Sequence, residues 1–217
     1  MVGQHIQTTP FYVHDINIGK HLLYMNKYSI RCDDSLFSHY YYYDYFKKSV
    51  ILAVTTSYLH ESSKLRKRFI QTRTPLNHLT CYDYTRQLFE GKKDVFMTYE
   101  ELVWLSHQPN VIIMFHSHWH LAVPSDNSQR PISQTHSLWQ EFYDCHSKMD
   151  SVYINPHYKD FIEYDFEAGL ILLRYLLKDR FSSYFVAPYN RVNDFLISIA
   201  SKFGLKVYPC RNLVCID

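Results

Sequence analysis

Val111-Ile112-Ile113-Met114-Phe115-His116-Ser117-His118-Trp119-His120 is an apolar run that ends abruptly in three histidines. Its length and its Val/Ile content predict a buried strand. Histidines at the end of such a strand are held by a rigid element while their imidazoles face a cleft, and neutral imidazole is a ligand for zinc and similar ions. Which of them share an ion depends on the backbone after Phe115. Fully extended, His116 and His120 stand about 13 Å apart at ~3.3 Å per residue, too far for two nitrogens each ~2.1 Å from one ion. An extended chain instead pairs His116 with His118, or His118 with His120, on one face. A helical turn brings positions four apart to about 5–6 Å between Cβ atoms, so that His116 and His120 converge and His118 points elsewhere. One histidine here would read as an ordinary core or surface residue. Three in five positions read as a metal site.

The rest of the chain bounds that reading. Its 217 residues suit one domain with a substantial core. A formal net charge of +2 creates no field that favours nucleic acid. The basic residues Lys64, Arg66, Lys67 and Arg68 read as a solvated helix face. Twenty Tyr and 14 Phe against 5 Gly point to aromatic-rich packing, most of it core and half-buried surface. Five cysteines (Cys32, Cys81, Cys145, Cys210 and Cys215) are odd in number and form no C-x-x-C pair, which suits reduced thiols. Residues 1–10 lack an apolar signal segment, and no apolar run approaches the ~20 residues needed to span a bilayer. The expectation is a soluble, cytoplasmic protein without a membrane span and without a nucleic-acid partner.

Periodicity predicts strands over residues 10–16, 49–56, 111–115, 151–154, 161–166, 184–186 and 205–208. Helices are expected over 40–46, 61–71, 84–90, 98–109, 133–148, 167–178 and 192–203, the last stopped by Gly204. Thr98 with Glu101 three residues later reads as a capping box. Buried strands alternating with helices mean a mainly parallel α/β sheet or barrel, in which ligands gather at the carboxyl ends of the strands. Asp15, the histidines and Pro188-Tyr189 all fall just past predicted strand ends, on one rim.

Taken together these segments resemble the polysaccharide deacetylases (carbohydrate esterase family 4). His116-Ser117-His118-Trp119-His120 matches the family's H-[ST]-x-x-H signature. Phe185-Val186-Ala187-Pro188-Tyr189-Asn190, followed by a helix and Phe203-Gly204-Leu205-Lys206-Val207, resembles its R-x-P-Y-G segment. Tyr12-Val13-His14-Asp15 sits where the family has T-F-D-D. The order fits from about residue 10 to residue 208, and the variations look like the divergent deacetylase-like proteins of bacterial surface-polysaccharide clusters.

The resemblance implies one deacetylase-like domain over residues 1–217. Its fold would be a distorted (β/α) barrel of about seven mainly parallel strands, incomplete at the C-terminus. It implies a divalent ion, zinc by default, held by Asp15, His116 and His120, and an oxyanion contact from the backbone N–H of Tyr189. Two departures stand out. His14 occupies the place of the usual general-base aspartate, and Val186 that of the arginine that orients this base. A different register makes Asp15 the base and Asn17 the ligand, but carboxylate is the better donor, so Asp15 is preferred on the metal. The family's late Leu-x-His segment has no counterpart after Tyr208, which leaves His14, His118, Glu163 and Asp165 as candidate acid–base groups. The expected function is metal-dependent removal of acetyl groups from a sugar of a bacterial surface glycan or its precursor. The alternatives are a catalytically weak or inactive barrel that binds carbohydrate and, more remotely, another metallohydrolase or an oxygen-dependent iron enzyme built on a His-x-His strand pair.

Overall fold

The computed structural model describes residues 30–41, 43–46, 49–61, 96–124, 131, 149–208 and 214–216. The first strand, β1 (Ile30–Cys32), lies in parallel beside β2 (Val50–Val54), which lies in parallel beside β3 (Val111–Phe115). All five residues of β2 are buried, as a near-continuous Val/Ile/Leu run requires when both faces of a parallel sheet are covered. A short hairpin-like pair, β4 (Ala122–Pro124) and β5 (Met149–Ser151), is antiparallel and separate from this sheet. The main sheet continues through β6 (Tyr184–Phe185), β7 (Lys206–Val207) and β8 (Val214–Ile216). Its order is β7-β6-β3-β2-β1-β8, with every pairing parallel. The α/β class expected from the sequence is therefore observed. The strand missing from the sequence reading after Tyr208 is β8, which pairs with β1.

Four α-helices accompany the strands among the described residues: α1 (Phe37–Tyr41), α2 (Tyr99–Leu105), α3 (Lys159–Leu177) and α4 (Asp194–Lys202). The capping box of α2 forms as its sequence demands. Thr98 Oγ1 accepts the Glu101 N–H at 3.2 Å, and Glu101 Oε2 accepts the Thr98 N–H at 2.8 Å. Gly204 ends the α4 segment with φ of 75°, a conformation open to glycine without strain. Two expectations fail. Residues 161–166 are not a strand but the first half of α3. The buried positions Ile162, Asp165, Phe166, Gly169, Leu170, Leu173 and Leu177 recur every three or four residues, a helical spacing that the exposed Phe161 and Tyr164 disguise. Residues 152–154 are a 3-10 turn following β5. The elements expected over 10–16, 61–71, 84–90 and 133–148 lie outside the described residues. Among the described residues no helix is long and apolar enough to cross a membrane.

Strand register sorts the side chains onto two faces. Val50, Leu52, Val54, Ile113, Phe115 and Phe185 join the large core under the helices, with Phe115 edge-on to Phe166 of α3 at 5.4 Å. Ile51, Ala53, Met114 and Val186 form a second, smaller cluster on the other face. Arg31 lies opposite Ile51 in the ladder, so it shares that face. Continuing the alternation past the strand ends brings Asp33 and His116 to the same side, at the carboxyl rim. α3 comes close to β3 because Gly169 has no side chain. A Cβ there would meet the Phe115 ring, with Cζ only 2.7 Å away, and Thr56 Oγ1 at 3.0 Å. Gly169→Ala should therefore lower stability by about 1–3 kcal/mol, read as a fall in the urea midpoint at unchanged m-value.

Candidate metal centre

At the carboxyl end of β3, residues 116–121 fold back instead of continuing straight. Ser117 and His120 adopt φ of 79° and 51°, and His120 N–H donates to Ser117 Oγ at 3.0 Å. The reversal sets the His116 and His120 rings 5.1 Å apart. Of the arrangements open in sequence, the chain takes the one that pairs His116 with His120, through a tight turn, not a helical one.

The carboxylate between them is Asp34, two residues beyond β1. Its Oδ1 lies 3.8 Å from His116 Nε2 and 3.7 Å from His120 Nε2. One donor atom from each of the three residues falls within 4.8 Å of the others. Donors about 2.0–2.2 Å from one ion stand roughly 3–4 Å apart, so the trio suits a divalent cation with little adjustment. The protonation states suit it too. Burial, with His120 nearby, lowers the His116 pKa to about 4, and burial lowers that of His120 to about 3. Both rings are therefore neutral at pH 7, with a lone pair to offer. His116 Nδ1 faces the Val186 carbonyl oxygen at 2.8 Å. Since a carbonyl only accepts, Nδ1 carries the proton and Nε2 is the ligand atom, the arrangement common to metal-bound histidine. Asp34 is itself steadied by Thr55, whose Oγ1 donates to Asp34 Oδ1 at 3.3 Å.

Beside the trio stands a buried ion pair. Arg31 Nε and Nη2 donate to Asp33 Oδ1 and Oδ2 at 2.8 and 2.6 Å, and Nη2 also donates to Asn190 Oδ1 at 2.8 Å. Asp33 Oδ2 is 4.0 Å from His116 Nε2. The arginine absent at Val186 is thus matched by one that reaches the same face from β1. Asp33 and Asp34 are candidate site residues that sequence reasoning missed. The signal was present in Ile30-Arg31-Cys32-Asp33-Asp34, a short strand followed by paired carboxylates, but Arg31 interrupts the apolar pattern that marks a buried strand.

The other expected residues fall as follows. His14 and Asp15 lie outside the described residues. His118 is not in the trio: its Nδ1 is 2.7 Å from Thr56 Oγ1, on the side where Gly169 of α3 approaches. Tyr189 is partly exposed, with φ of 59°, its ring 4.6 Å from that of His120 and its hydroxyl donating to the His120 carbonyl at 3.4 Å. Glu163 is half-buried, and the hydrogen bond that Lys202 Nζ donates to it at 2.6 Å holds its carboxyl below the usual range. Asp165 is fully buried, which pushes its carboxyl up to about 7 although the N–H groups of His118 and Trp119 pull the other way. Strained backbone gathers here. Asp34, Ser35, Ser117, His120, Tyr189 and Asn190 all have positive φ, and Lys178 is the remaining non-glycine case among the described residues. Each such residue costs on the order of 1–3 kcal/mol that surrounding contacts must offset, and residues of this kind cluster at functional sites.

Solved structures share this architecture. The chain matches the BpsB deacetylase domain from Bordetella bronchiseptica with TM-score 0.54 at 16% identity, covering 100% of this chain and 86% of that one. A de-N-acetylase from Aggregatibacter actinomycetemcomitans matches with TM-score 0.51 at 16% identity, over 92% of this chain and 79% of that one. IcaB from Ammonifex degensii matches with TM-score 0.51 at 12% identity, over 87% of this chain and 64% of that one. No family model and no curated protein matches the sequence. The fold is polysaccharide deacetylase-like. At these identities the likeness speaks to the fold alone. The ion pair beside the trio yields a direct test: Arg31→Met leaves Asp33 buried without its partner and should lower the unfolding free energy by about 3–5 kcal/mol in urea. Replacing both residues, as Arg31→Met with Asp33→Leu, should recover part of that loss.

Proposed function

We propose that this protein is a metal-dependent hydrolase that removes acetyl groups from an amino sugar of a bacterial surface glycan or its precursor. The observation that carries the reading is the position of Asp34 Oδ1, 3.7–3.8 Å from two neutral, buried imidazoles with the Arg31–Asp33 pair alongside. Asp34, His116 and His120 would hold the ion, and one carboxylate with two imidazoles suits zinc, though related divalent metals accept the same donors. A bound cation supplies Lewis acidity toward a water and an acyl carbonyl, work for which this donor set leaves coordination positions open.

The chain's own groups account for the proton. Asp33 is placed to take it as the water oxygen attacks the carbonyl carbon, and to return it to the nitrogen as the carbon–nitrogen bond breaks. Products are then acetate and a free amine. Arg31 fixes the Asp33 carboxylate in rotation, gripping both of its oxygens. The Tyr189 backbone, turned by its positive φ, is the candidate donor to the oxygen that gains charge during attack, and its ring walls one side of His120.

The test is zinc stoichiometry together with acetate release from N-acetylglucosamine oligomers. The unsubstituted protein should hold one zinc per chain and release acetate. His120→Ala should lose the metal and the activity together. Asp33→Asn should keep the metal while acetate release falls by about 10²–10⁴-fold, the usual contribution of acid–base catalysis. Stoichiometric zinc without acetate release from any acetylated amino sugar would overturn the enzymatic reading in favour of a carbohydrate-binding module.

A further inference from the structure

The turn that carries His120 is held from outside the trio, by a helix. Asp165 sits on the buried face of α3, and its Oδ2 and Oδ1 accept the N–H groups of His118 and Trp119 at 3.0 and 2.7 Å. The next N–H, of His120, donates to Ser117 Oγ at 3.0 Å, and that of Leu121 donates to the Tyr153 hydroxyl at 3.1 Å. Tyr153 is fully buried, and it meets the same turn as Asp165 and Ser117. Four consecutive amides, from His118 to Leu121, therefore end on side-chain oxygens of Asp165, Ser117 and Tyr153. Successive N–H groups turned inward form a cradle for negative charge. Here the chain fills that cradle with its own carboxylate.

We propose that Asp165 is a positioning residue for the metal: it fixes the 117–121 turn so that His120 Nε2 stays in register with His116 Nε2 and Asp34 Oδ1. This rests on the reading of that trio as a divalent-ion site. The backbone alone would not hold the geometry, because Ser117 and His120 both occupy left-handed conformations that side chains disfavour. Releasing two of the four amides lets the turn relax, and the imidazole drifts from the position that the ion needs.

Asp165→Asn preserves volume but turns an amide NH2 toward one of the two N–H donors and leaves one acceptor oxygen for the other. Zinc affinity is measured on metal-free protein by competition with a chromophoric chelator, and folding is followed by thermal unfolding. Asp165→Asn should bind zinc about 10–100-fold more weakly, the usual effect of removing a group that orients a ligand. Tyr153→Phe, which keeps the buried ring, should move affinity in the same direction. Leu177→Ala, at the far end of α3, should lower the melting temperature without changing zinc affinity. Should Asp165→Asn fail to fold, Tyr153→Phe decides by the same criterion. Affinity within about twofold of the unsubstituted protein overturns the proposal, as does an equal loss in Leu177→Ala, because affinity would then merely follow stability. Unsubstituted protein that takes up no zinc would remove the metal reading itself, and this inference with it.

Discussion

The spacing of two imidazoles governs what this molecule can be. His116 and His120 are four residues apart, and a straight continuation of β3 would carry the second ring well away from the first. The chain reverses instead, through left-handed backbone at Ser117 and again at His120. That reversal is unfavourable in isolation and persists because its amides are absorbed by buried acceptors. Packing of α3 against β3 is the precondition. Gly169 allows the helix to lie against Phe115, and the same closeness delivers Asp165 to the turn. Core packing and site geometry are one arrangement here.

The second constraint is a charge that has nowhere to go. Arg31 has no exposed surface, and such a guanidinium must find partners inside the protein. It finds Asp33 two residues on along the same face, and Asn190 from the turn after β6. A strand places residues i and i+2 on one side, so the pair needs no long-range coincidence to form. Asn190 is suited to its place twice over, since asparagine tolerates positive φ and its side-chain oxygen accepts from the guanidinium. The segments after β1 and β6 are thereby tied together through one guanidinium.

How much of this was legible follows from what local pattern encodes. β2, β3 and the capped helix α2 announced themselves through apolar runs and a Thr98–Glu101 box, with β2 buried throughout and β3 buried from Ile113 to Phe115. The convergence of His116 with His120 was one of several arrangements that spacing permitted. The choice between them lay in backbone angles set by Asp165 and Tyr153, which arrive from more than thirty residues downstream. β1 was illegible for a specific reason: an arginine in its centre breaks the apolar signal, and only the partner two residues later makes that burial tolerable. The carboxylate was therefore expected at Asp15, outside the described residues, while Asp33 and Asp34 follow β1 beside the two histidines. The first half of α3 was misread because Ile162, Tyr164 and Phe166 alternate with Glu163 and Asp165, while the buried set that decides its structure repeats at helical spacing.

β1 lies between β2 and β8, so the strand bearing the carboxylates has one neighbour from close by in sequence and another from residues 214–216. During synthesis that second neighbour emerges after the other described strands of the sheet. Until it does, the flank of β1 that β8 will cover displays open backbone donors and acceptors, a template for pairing with other chains. A prematurely terminated product would keep every histidine of the site and still carry that adhesive edge, which makes clumping a more immediate fate for it than mere inactivity.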